Sequence, residues 1–142
     1  MKVFIADDSA PVRQRLAAQL SELESVELVG QAGDAHAALE AICQLRPDVV
    51  VLDIRMPGGS GLQVLEALKR DTPAPTVIML TAFPYPQYRR KCLEAGAEYF
   101  FDKTTEFERV ARVLREMSES AAVSGDNSSA SGSGLPWEGR SA

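Results

Sequence analysis

Five short apolar runs alternate with segments of helical period along most of this chain, and that alternation narrows the possible folds more than anything else in the sequence. The runs lie at residues 2–6, 26–31, 48–53, 76–81 and 99–102. The first, third and fourth are nearly continuous in Val, Ile, Leu, Phe and Met, the pattern of strands buried on both faces. Between them apolar residues recur at helical spacing. Val12, Leu16 and Leu20 step by four, and Leu62, Leu65 and Leu68 step by three. Ala35, Ala38, Leu39 and Ile42 follow i, i+3, i+4, i+7, as do Phe107, Val110, Ala111 and Leu114. Each series gives a helix one stripe to lay on a sheet. The order βαβαβαβαβα predicts an α/β fold, a doubly wound parallel sheet of five strands with five helices on its two faces.

Local signals agree with that frame. Pro11 suits a first helical turn, Asp34 can cap the second helix, and Thr105 with Glu108 reads as a capping box for the last. Pro84 and Pro86 delay the fourth helix, which is expected over 87–95. After Ser118 the composition turns to Ser, Gly and Ala. Residues 1–119 are therefore expected to form one domain, and 120–142 a flexible tail without an output domain. Within that tail, Leu135-Pro136-Trp137-Glu138 is a small apolar island that reads as a low-complexity remnant rather than a docking motif.

Charge and length exclude several classes. With 15 basic and 20 acidic residues the net charge is -5, which argues against a nucleic-acid surface. No run approaches the ~20 apolar residues of a membrane span. Residues 1–8 do not form a signal peptide, and Cys43 and Cys92 are isolated, so a reduced, cytoplasmic protein is expected. Both cysteines, each within a helix, read as small packing residues.

The polar groups fall in an informative place. Asp7 and Asp8 end the first run, Asp53 the third and Thr81 the fourth, and Lys103 follows the fifth. In an open α/β sheet all of these reach the carboxyl edge, where ligands bind. Each alone is an ordinary turn former, strand residue or surface lysine. Together, at the ends of four strand runs, they form a constellation. Carboxylates gathered at one edge raise one another's pKa, and a hard divalent cation such as Mg²⁺ removes that cost. A carboxylate beside Mg²⁺ can attack phosphorus, while an ammonium and a hydroxyl neutralise the remaining oxygens. Other phosphate sites do not fit: 58–61 lacks the P-loop lysine, and no G-x-G-x-x-G follows the first run. The lone histidine, His36, belongs to a helix away from that edge.

In combination these residues resemble the receiver domain of bacterial two-component response regulators, over roughly residues 1–118. The resemblance rests on Asp7-Asp8, Asp53-Ile54-Arg55-Met56-Pro57 with Gly61, Leu80-Thr81-Ala82, and Ala95-Gly96-Ala97 leading to Phe100 and Lys103. It implies a flavodoxin-like strand order 2-1-3-4-5. It also implies Asp53 as phosphoacceptor, and Mg²⁺ held by Asp7, Asp8, Asp53 and the backbone carbonyl of Arg55. Thr81 would be the switch hydroxyl, Lys103 the phosphoryl-contacting cation, and Phe100 a switch aromatic that turns inward on phosphorylation. The implied partners are a sensor histidine kinase or histidine phosphotransfer domain, and a downstream protein met through the helix 4–strand 5–helix 5 face; neither nucleic acid nor membrane is implied. The family often has a proline with a cis peptide after the lysine, where this chain has Thr104.

A stand-alone receiver in a phosphorelay, which catalyses only its own phosphorylation and dephosphorylation, is thus the expected function. A Mg²⁺-dependent aspartyl-phosphate phosphatase or phosphotransferase is the enzymatic alternative, although Asp7-Asp8-Ser9 lacks the Asp-x-Asp of the haloacid-dehalogenase-like enzymes. A phosphorylation-independent docking module is the other. Arg55 and Phe83, each two residues beyond a site residue, are expected to overhang the phosphoryl group and slow its hydrolysis.

Overall fold

A computed structural model of the chain describes residues 1–127. Its centre is a parallel sheet of five strands: β1 (Lys2–Ala6), β2 (Glu27–Ala32), β3 (Val49–Leu52), β4 (Thr76–Thr81) and β5 (Tyr99–Asp102). Their order across the sheet is β2-β1-β3-β4-β5. The helices are α1 (Ala10–Leu20), α2 (Ala35–Leu45), α3 (Gly61–Arg70), α4 (Pro86–Glu94) and α5 (Phe107–Asn127). The expected architecture and strand order are therefore those observed.

Alternation along the strands divides the core into two layers. Phe4 and Ala6, Val50 and Leu52, Val77 and Met79, and Phe100 face one way. They meet Ala38 and Ile42 of α2, Val64, Leu65 and Leu68 of α3, and Cys92 of α4. Val3 and Ile5, Val49 and Val51, Ile78 and Leu80, and Phe101 face the other. They meet Leu16 and Leu20 of α1 and Phe107, Val110 and Leu114 of α5. Strands covered on both faces need the unbroken apolar runs seen in the sequence. Burying each such Leu or Ile contributes about 2 kcal/mol.

Helix starts follow local chemistry. Ser9 caps α1 through the N–H of Val12, with proline in the first turn, and Asp34 caps α2 through the N–H of Ala37. Ser60 and Gln63 form a reciprocal capping box at α3.

Four features depart from expectation. A two-residue antiparallel hairpin, Arg55–Met56 with Gly59–Ser60, lies between β3 and α3. It is too short to leave a periodicity in the sequence. The Thr105–Glu108 capping box does not form: α5 begins at Phe107, and Glu108 instead accepts a hydrogen bond from Arg15 of α1 at 2.9 Å. The last helix also continues to Asn127, beyond the boundary placed at 119. Extending an existing helix fixes one residue per hydrogen bond, so Ala121 and Ala122 are readily added to it. Cys92 is buried, but Cys43 is exposed on α2 and is not a packing residue. The apolar island at 135–138 lies outside the described residues. Among those described, no helix is long and apolar enough to cross a membrane.

Candidate functional site

The sheet register brings the acids together. Ala6 of β1 pairs with Leu52 of β3, so the next residue of each strand, Asp7 and Asp53, emerges side by side. The Asp53 N–H donates to the Ala6 carbonyl at 2.9 Å, and the Asp7 N–H donates to Ala32 at 3.0 Å. One carboxylate oxygen from each of Asp7, Asp8 and Asp53 lies within 4.8 Å of the others. Asp7 and Asp53 are only 2% and 4% exposed, whereas Asp8 faces solvent.

Lys103, carried by the segment after β5, closes the group. Its ammonium contacts Asp7 Oδ2 at 2.8 Å and Asp53 Oδ2 at 3.1 Å. The other oxygen of Asp7 accepts the N–H of Ser9 at 2.9 Å, which orients that carboxylate. Burial, and then the neighbouring Asp7 charge, push the Asp53 carboxyl up to about 6 despite the opposing pull of Lys103. For Lys103, burial alone would lower the pKa, but hydrogen bonds and charges from Asp7 and Asp53 together raise it above the ordinary lysine value. Three carboxylates against one ammonium leave an excess of negative charge in a poorly hydrated place.

An all-oxygen, strongly anionic donor set suits a hard divalent cation, and the exposed Asp8 gives such an ion a route from solvent. The chemistry of the residues present therefore fits Mg²⁺.

Thr81 ends β4 at the same edge and is fully buried; its hydroxyl oxygen accepts the N–H of Phe83 at 2.9 Å. Arg55 stands in the first strand of the hairpin, two residues beyond Asp53. Its guanidinium carbon lies 4.0 Å from the centre of the Phe83 ring. The loops after β3 and β4 thus meet through this pair.

Phe100 is not part of the acid cluster. Its ring is already inside, 6% exposed in the layer with Cys92 and Ala97, and Arg89 donates to its carbonyl at 3.3 Å. The apolar layer beneath β5 accounts for its position. His36 is exposed on α2 beside Glu40.

One support escaped the sequence reading, and a second was noted there without its physical reason. Arg13 of α1 donates to the Asp7 carbonyl at 2.6 Å, pinning the loop that carries both N-terminal acids. A guanidinium acting on a backbone oxygen leaves no pattern in a sequence. Gly61, noted for its place in a motif, has a steric reason: any Cβ there would collide with the Asp53 carbonyl.

Comparisons with known proteins place this geometry in context. A family model described as the response regulator receiver domain matches residues 3–115. The chain is 36% identical over 116 residues to the uncharacterized transcriptional regulatory protein YvfU of Bacillus subtilis (strain 168), covering 82% of this chain and 58% of that protein. The chain spans about half the length of the curated relatives it matches, as the shares of 58%, 48% and 55% show. The response regulator domain of Thermotoga maritima CheB is similar with a TM-score of 0.74 and 30% identity, covering 85% of this chain and 95% of that one. A structure of the CheX-CheY-BeF3-Mg+2 complex from Borrelia burgdorferi is similar with a TM-score of 0.69 and 29% identity, covering 80% and 89%.

Proposed function

The chain belongs to the response regulator receiver family of two-component systems, and from that membership we propose that it accepts a phosphoryl group on Asp53 in a Mg²⁺-dependent step and thereby changes its affinity for a partner protein. The observation that carries this reading is the gathering of Asp7, Asp8 and Asp53 within 4.8 Å under the ammonium of Lys103.

The donor is a phosphohistidine of a sensor kinase or a histidine phosphotransfer domain. The phosphorus–nitrogen bond breaks and a bond from phosphorus to a carboxylate oxygen of Asp53 forms. The electron pair returns to the imidazole, which takes up a proton. Asp7, Asp8, Asp53 and the Arg55 carbonyl would hold the metal, whose charge would neutralise phosphoryl oxygens in the transfer. Lys103, already bonded to Asp53, stays beside the new group and offsets a second oxygen. The Thr81 hydroxyl accepts from Phe83 and keeps its own O–H to donate to a third. Drawing Thr81 toward the phosphoryl group strains its bond to Phe83 and shifts the loop leading to α4. The α4–β5–α5 face is then the output surface toward a downstream protein, a two-state element biased by a covalent charge. The BeF3 and Mg²⁺ named for the Borrelia complex support this chemistry by similarity.

The test is intact mass after incubation with acetyl phosphate and Mg²⁺. The wild type is expected to gain one PO₃H unit, and Asp53→Asn and the metal-chelated protein none. Label on Asp53→Asn equal to wild type would refute the assignment.

A further inference from the structure

The segment that carries Lys103 has no proline to restrict it: residues 102–106 read Asp-Lys-Thr-Thr-Glu. The Lys103–Thr104 peptide is trans, since Thr72–Pro73 is the cis bond among the described residues. Yet the Lys103 ammonium must reach Asp7 and Asp53 together, at 2.8 and 3.1 Å.

Hydrogen bonds around the lysine supply the restriction. The Asp102 N–H donates to Glu106 Oε1 at 2.9 Å, and the Glu106 N–H donates back to the Asp102 carbonyl at 2.8 Å. The Thr104 N–H donates to Asp102 Oδ1 at 2.8 Å. Both neighbours of Lys103 are thereby tied, Asp102 to Glu106 and Thr104 to the Asp102 side chain, while the Lys103 N–H donates to the Thr81 carbonyl at 2.9 Å. Glu106 is braced in turn: its second oxygen, Oε2, meets the Arg109 guanidinium at 3.2 Å. Both ends of the carboxylate are engaged, one on the loop and one on the first turn of α5.

We infer that Glu106 is a positioning residue for phosphoryl transfer: by closing the reciprocal Asp102–Glu106 pair of bonds around the loop it holds the Lys103 backbone so that its ammonium arrives at the acceptor carboxylate already oriented. This rests on the reading of Asp53 as phosphoacceptor. Glu106 touches neither the acceptor nor the metal ligands. Its effect belongs to the rate of the step, because a catalytic group displaced by a fraction of an ångström loses much of its effect. The atom that matters is the oxygen that accepts the Asp102 N–H. A glutamine amide keeps that acceptor. An aspartate keeps the charge but is one methylene too short to reach.

The experiment compares wild type, Glu106→Gln, Glu106→Ala and Glu106→Asp in the full chain. Label from acetyl phosphate is followed by intact mass, and Mg²⁺ affinity by calorimetry. Melting temperature reports folding. Glu106→Ala and Glu106→Asp are expected to slow labelling about tenfold at saturating donor, with Mg²⁺ affinity within about twofold of wild type. Glu106→Gln is expected to label within about twofold of wild type. Aspartate retains a charge near the start of α5 and guards against loss of folding in the alanine variant. Unchanged labelling in both Ala and Asp variants, or a glutamine variant as slow as alanine, would overturn the inference. A wild type that takes no label would overturn the acceptor assignment itself.

Discussion

Arg55 and Phe83 lie outside the acid cluster, yet the two together are expected to influence its kinetics. Each follows a site residue by two positions, and their side chains meet at 4.0 Å between guanidinium and ring centre. A stacked cation and ring hold each other by roughly 0.5–1 kcal/mol at an exposed site, so neither sweeps freely over the edge. Water must approach an acyl phosphate in line with the bond it breaks, and bulk fixed over that approach excludes it. Phe83→Ala is expected to shorten the lifetime of phosphorylated Asp53 about three- to tenfold, read from decay of the mass label after donor removal. An unchanged lifetime would show that the ring shields nothing. At this scale the sequence was legible where position along a strand decides chemistry, as for Asp7, Asp53, Thr81 and Lys103. It was silent for Arg13, whose contribution passes through a carbonyl that any residue at position 7 would supply.

Between elements, the opposite edge of the sheet has its own ionic fastening. Lys69 of α3 donates to Glu98, before β5, and to the Pro75 carbonyl, before β4, at 2.8 to 3.0 Å. Glu98 also accepts the N–H of Val77 at 2.8 Å. The pair is 17% and 7% exposed, and the lysine stem lies against Gly96, whose φ of +110° admits little but glycine. Removing one partner strands the other away from water. Glu98→Ala is expected to cost about 2–4 kcal/mol in urea unfolding, and a loss below about 0.5 kcal/mol would mean that water or neighbours replace the carboxylate. None of this was foreseeable from the apolar stripes, because Lys69 and Glu98 each sit beside a stripe rather than in it. The same holds for Glu108. Its spacing from Thr105 suggests a cap, but Arg15 on another helix offers an opposite charge that spacing along one helix cannot reveal. Strand existence and helix faces were readable because each repeats over many residues; a two-residue hairpin repeats nothing.

For the molecule as a whole, the ionised Asp53 opposes folding when no metal offsets its charge. Asp53 titrates at about 6 in the folded state against an ordinary value of 3.8, so the native state binds protons more tightly than the unfolded chain. The contribution of this group is fully present below pH 3.8 and is lost as pH rises through about 6. In metal-free buffer, Asp53→Asn is therefore expected to exceed wild type in stability by about 1–3 kcal/mol at pH 7, with the gap closing toward pH 4. Mg²⁺ is expected to narrow the gap at pH 7 by stabilising wild type more than the variant. Urea midpoints across this pH range, with and without chelator, decide it; a gap independent of pH would place the effect elsewhere. The strand order was legible only through the resemblance, since apolar runs say which segments pair in sheets but not with whom.

The pairing of Ala6 with Leu52 makes the acidic centre a property of the finished sheet. Neither strand alone carries a competent pocket, so a chain caught half-assembled offers its donor no target. On the proposed function, phosphoryl transfer would then reach only copies whose sheet is complete, and labelling would double as a check on assembly.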